Sequence, residues 1–84
     1  MERKTNEESL AMLVHFRGQF IYKLEYYLEA GLEEKAERAR LELIVELKGL
    51  EETPEVKGNI EYLKSTKFSS LQDLEKYREF MNNK

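Results

Sequence analysis

Apolar positions in the first third of the chain recur with the period of an α-helix. On a helical wheel Leu10, Leu13, Val14, Phe16, Phe20, Ile21, Leu24, Tyr27 and Leu28 fall within one arc of about 160°. Thr5 followed by Glu8 has the spacing of a capping box. Gly31 stands where a helix-ending residue belongs. These signals predict a long helix over about 6–30. Leu32 to Leu50 is rich in Leu, Glu, Ala and Arg, carries Glu33 and Glu34 in its first turn, and ends on Lys48 and Gly49. A second helix over about 32–50 follows, and so short a connection implies an antiparallel hairpin. Thr53 before Pro54 is another helix start, and it opens a short helix over about 54–65. Ser69 with Gln72, or Ser70 with Asp73, caps a last one over about 70–81. The predicted fold is all-α, a long helical hairpin followed by two short helices in one domain spanning residues 1–84.

The faces of these helices differ in character. The second helix has a stripe of Leu32, Ala36, Ala39, Leu43, Leu47 and Leu50, and away from it a smaller patch, Leu41 with Val45, offered to the fourth helix. Val56, Ile60 and Leu63 line one side of the third helix; Leu71, Leu74, Tyr77 and Met81 line one side of the fourth. Two arginines interrupt the apolar stripes, Arg17 in the first helix and Arg40 in the second. A guanidinium there must snorkel, meet a carboxylate of the facing helix, or face a partner.

The side of the first helix opposite its core arc holds Met12, His15, Gln19, Tyr22 and Tyr26. Its remaining charges are only Lys23, Glu25 and Glu29, fewer than a helix side turned to water usually carries. Tyrosine, methionine and arginine are enriched at the centre of protein interfaces, where lysine and glutamate are depleted. Met12, His15, Arg17, Gln19, Tyr22 and Tyr26 are therefore the candidate protein-binding residues. Two alternatives stand at this point: the third and fourth helices cover this side, or a second copy or another protein does.

Composition narrows the function classes. The chain has 84 residues, of which 37% are charged and 40% hydrophobic. A chain this short buries only about 60–65% of its unfolded surface. Small folds often compensate with disulfides, a metal or a partner subunit. Cysteine is absent and His15 is the sole histidine, so zinc lacks its usual ligands. The acids Glu33, Glu34, Glu37, Glu51, Glu52 and Glu55 lack the spacing and turn glycine of a calcium loop. No cofactor or metal is expected. His15, Gln19 and Tyr22 lie along one side, but no second group orients the imidazole for acid–base work, and no enzyme is predicted. Met1 to Glu8 has no apolar core of a signal peptide and no stretch approaches a membrane span, so a cytoplasmic protein without a membrane partner is expected.

The net charge of −3 is unevenly spread, with nine acids against four bases over Glu29–Glu55 and six bases against four acids over Val56–Lys84. A nucleic-acid-linked regulator using Lys57, Lys64, Lys67, Lys76 and Arg78 is the alternative function, although Asp73, Glu75 and Glu79 share that tail and would repel phosphates. The leading expectation is a non-enzymatic helical protein–protein interaction module, a small acidic homodimeric regulator or inhibitor of another protein.

Overall fold

The computed structural model describes residues 6–50 and 52–82. Four helices follow one another: α1 (Asn6–Glu29), α2 (Glu33–Lys48), α3 (Pro54–Ser65) and α4 (Leu71–Asn82). The expected capping box of Thr5 and Glu8 lies partly outside the described residues. The other boundaries have visible causes. Gly31 adopts φ 73°, the left-handed conformation that glycine takes without a Cβ penalty. The N–H of Leu32 then bonds to Tyr27 O at 2.8 Å and that of Gly31 to Leu28 O at 3.2 Å. This paired closure of a helix end turns the chain back on itself. It makes α1 and α2 an antiparallel hairpin.

At the start of α3, Thr53 Oγ1 accepts from the Val56 N–H at 3.2 Å, with Pro54 in the first helical position. The start of α4 resolves the two capping pairs in favour of Ser70 with Asp73. The Asp73 carboxylate accepts from the backbone N–H of Ser69 at 2.9 Å and of Ser70 at 3.1 Å. The Ser69 N–H is the largest influence holding that carboxyl below the usual range, and the Ser70 N–H adds to it.

The hairpin supplies most of the core, through Leu13, Phe20 and Leu24 of α1 and Ala36, Ala39, Leu43, Ile44 and Leu47 of α2. Helix α3 packs on both long helices, whereas α4 packs on α1 and not on α2. The expected seating of the fourth helix on Leu41 and Val45 is therefore corrected: those side chains stay exposed, at 50% and 70%. The reason is aromatic. Phe20 of α1, Phe68 of the α3–α4 connection and Tyr77 of α4 meet edge to face, with centroids 5.4–5.8 Å apart. Tyr62 of α3 stacks on Phe80 of α4 at 4.5 Å. These rings pull α4 to the α1 side.

Tyr77 is fully buried, and its hydroxyl donates to Asn59 Oδ1 at 2.9 Å. Asn59 in turn donates from Nδ2 to the Glu55 carbonyl at 2.8 Å. A second polar tie joins α2 to α3, where Arg40 bonds the Glu37 carboxylate and donates to the carbonyl of Leu63 in the last turn of α3. The hydrogen bond from Arg40 is the main influence holding the Glu37 carboxyl below its ordinary range. Arg40 is thus explained within the chain, as a helix C-terminal partner.

Tyr77→Phe should lower stability by about 1–3 kcal/mol in denaturant titrations, because Asn59 Oδ1 is left buried without its donor. The same variant tests an alkaline effect. Burial pushes the Tyr77 phenol up, against a smaller opposing pull from the Arg17 charge. A raised folded-state value makes this stability complete below the unfolded value near 10 and lost as pH climbs above it. The wild-type melting temperature should fall more steeply above pH 10 than that of Tyr77→Phe; parallel curves would contradict this.

Candidate protein-interaction surface

With α2 and α3 on one side of α1 and α4 on another, the remaining side of α1 faces outward. Tyr22 is 78% exposed and Tyr26 65%. His15 and Gln19 are exposed beside them, with the imidazole tilted against Phe16 at 5.9 Å and Tyr26 against Tyr27 at 6.0 Å. Met12 is half-buried at the edge, packed against the core. The question of which elements cover this side is answered within the chain: α3 and α4 do not.

Arg17 does not belong to this group. It is half-buried, and its positive charge acts on Tyr77 of α4. Its Nε is buried with no hydrogen-bond partner among the described residues. Of the readings open to it, no carboxylate of the facing helix meets it among the described residues, and its two terminal nitrogens are not among the buried unpartnered atoms, as for a stem that packs while its head reaches outward.

The outward side contains residues that the core arc had claimed. Leu10 is 37% exposed and Val14 57%, while Ser9 is fully buried in their stead. The wheel arc was centred correctly on Leu13, Phe20 and Leu24, but its edge through Leu10 and Val14 has no helix over it. Gly18 is exposed on the same side, and a Cβ built there would meet nothing within 4 Å. Spacing by four from Leu10 was the available signal for these residues. From Ser9 to Tyr22 the sequence holds one charged side chain, Arg17, and it is half-buried. In a chain with 37% charged residues, an exposed helix side free of charge over four turns is out of proportion.

Two other concavities differ from it. A groove of about 610 Å³ between the start of α2 and the end of α3 is lined by Glu33, Glu34 and Glu37 on one bank and Lys64 and Lys67 on the other, with Arg38 and Arg40 between. Opposed signs cancel there. Leu41 and Val45 floor a shallow dish of about 360 Å³ rimmed by Arg38, Glu42 and Glu46. The basic tail is also interleaved with acid, since Arg78 pairs with Glu25 at 2.7 Å and with Glu75 at 3.3 Å.

Among the described residues no group of three His, Cys, Asp or Glu side chains is placed to hold a metal, and no helix is long and apolar enough to cross a membrane. No family model, curated protein or solved structure matches the chain. The surface has to be read from its own chemistry.

Arg17→Met replaces a guanidinium that has an unpartnered buried nitrogen with an apolar chain of similar reach. Stability should rise by about 1 kcal/mol in urea titrations, the order of the desolvation penalty removed. A loss of similar size would mean that the guanidinium contributes favourably to folding.

Proposed function

We propose that this protein is a non-enzymatic protein–protein interaction module, a homodimeric regulator or inhibitor of another protein, whose contact surface is the outward side of α1. The observation that carries this reading is the exposure of Tyr22 and Tyr26 on a helix side that is poor in charge. Tyrosine supplies a large rigid contact area while its hydroxyl tolerates water, which suits a side that must survive both free and bound. Neutrality argues further. A surface made for nucleic acid or for a charged peptide carries the opposite charge, whereas an uncharged one meets another uncharged surface without desolvating ions.

Light scattering across protein concentration tests the dimer. The measured mass should climb from the 10.0 kDa of one chain toward twice that value. A mass fixed at one chain at every concentration would overturn self-association. Replacing both Tyr22 and Tyr26 by Glu should return the protein to a single-chain mass, since two carboxylates would be forced into the seam of each protomer. Unchanged dimer mass in that variant would move the seam away from the tyrosines.

A further inference from the structure

The four large apolar side chains of α1 that the described structure leaves exposed are Leu10, Val14, Tyr22 and Tyr26. Together with Gly18 they stand at successive positions four apart, and glycine is the middle one. Residues four apart form one of the two ridges by which helices interdigitate. Along this ridge two aliphatic residues precede the glycine and two aromatic residues follow it. A twofold axis through Gly18 sets Val14 opposite the other copy's Tyr22, and Leu10 opposite its Tyr26. Resting on the dimer reading above, we propose that two copies associate through this ridge, with antiparallel α1 helices crossing at Gly18.

Three features fit a second copy as the occupant. The first is self-complementarity, since each aliphatic position meets an aromatic one and the single gap meets itself. Ridges of this kind cross at about 50° with axes about 8–10 Å apart, which calls for a small residue at the crossing. Gly18 meets that need and has no other within its own chain: its φ is not positive, and the space over it is open. In a helix interior glycine costs about 1 kcal/mol relative to alanine. The tyrosines, with the longer reach, stand where the crossed helices have begun to diverge.

The second feature is charge. No ionised group lies on the ridge to oppose its own copy. Glu25, next to it, is already paired with Arg78 in the same chain. Glu7 and Glu29 flank the ridge at its two ends, roughly 16 Å from the crossing along the helix axis, where the helices have separated.

The third is area. Half the girth of the 24-residue helix is about 600 Å² per chain, and a crossing at about 50° covers only the turns nearest Gly18, so the pair buries less than about 1,200 Å² in total, the size of weak, reversible contacts.

Disulfide trapping tests the geometry in the full chain, which has no cysteine of its own. At the crossing the two Gly18 Cα atoms stand roughly 4–5 Å apart, too close for two facing Cβ atoms and a disulfide between them. The trap therefore uses Val14→Cys and Tyr22→Cys, at positions already exposed. A mixture of these two, allowed to exchange subunits, should cross-link about tenfold or more faster than either alone, because like positions lie too far apart for a disulfide across an antiparallel twofold. Tyr22→Cys trapping itself as readily as the mixture would overturn the antiparallel crossing. Trapping by Val45→Cys with none in the mixture would move the seam to α2, overturning this inference while leaving a dimer. A single-chain mass in light scattering would overturn the dimer reading and this inference together.

Discussion

A phenol with no access to water has to find an acceptor inside the protein, and Tyr77 finds it in Asn59. The acceptor needs holding too. Asn59 is fixed by its bond to the Glu55 carbonyl one turn earlier in α3, so the pair links α4 to the backbone of α3 through a single buried amide. The ring of Tyr77 reaches Phe20 of α1, Phe68 of the connection and Tyr62 of α3. One residue of α4 thus touches two other helices and a loop. Helices α3 and α4 have 12 residues each, near the length at which isolated helices are marginal in water. Their persistence depends on this shared anchor more than on propensity.

The anchor also decides what remains uncovered. Tyr77 can satisfy its hydroxyl only where α3 lies, and α3 lies in the groove of the hairpin, held there by Val56, Leu63 and the bond from Arg40 to the Leu63 carbonyl. Helix α4 is therefore drawn to the flank of α1 that carries Phe20, Arg17 and Glu25. It cannot also cover Leu41 and Val45, nor the side of α1 that carries Tyr22. Two short helices cannot enclose a helix of 24 residues from every direction. The outward side of α1 follows from where a buried hydroxyl found its partner.

Helix boundaries were legible in the amino-acid order because their causes are local. Gly31, Thr53 with Pro54, and Ser70 with Asp73 act through groups within four residues, and the helices end within two residues of their expected limits. Packing was less legible. The apolar arc of α1 was wider than the hairpin could bury, and periodicity does not tell which edge of a wide arc is covered. Leu10 and Val14 consequently counted as core, and Ser9 did not. Phe68 and Asn59 were missed for a different reason. One is an aromatic ring in a connection and the other an amide within a helix, and each is buried through contacts made far along the chain. Of the candidate surface, His15, Gln19, Tyr22 and Tyr26 share one exposed side as their low charge implied. Arg17 is half-buried and apart from them, although its apolar neighbours in sequence resembled theirs.

The chemistry of the exposed ridge bears on how tightly it can hold a second copy. Had its aromatic positions been leucine, two protomers would gain apolar burial, but each free chain would expose a contiguous apolar strip inviting nonspecific contact. Tyrosine keeps most of the apolar area and adds a hydroxyl that water can satisfy when the helix stands alone. Gly18 acts in the same direction, since it permits close approach at one point while weakening the free helix. The proposed pairing, small in area and made from side chains tolerable in water, matches an equilibrium between separate and paired chains better than an obligate dimer, whose interface resembles a divided core. The core of this protein is closed within one chain, where Leu13, Phe20, Leu24 and Tyr77 are all buried. Folding therefore does not require association, so the proposed pairing would follow the concentration of the chain.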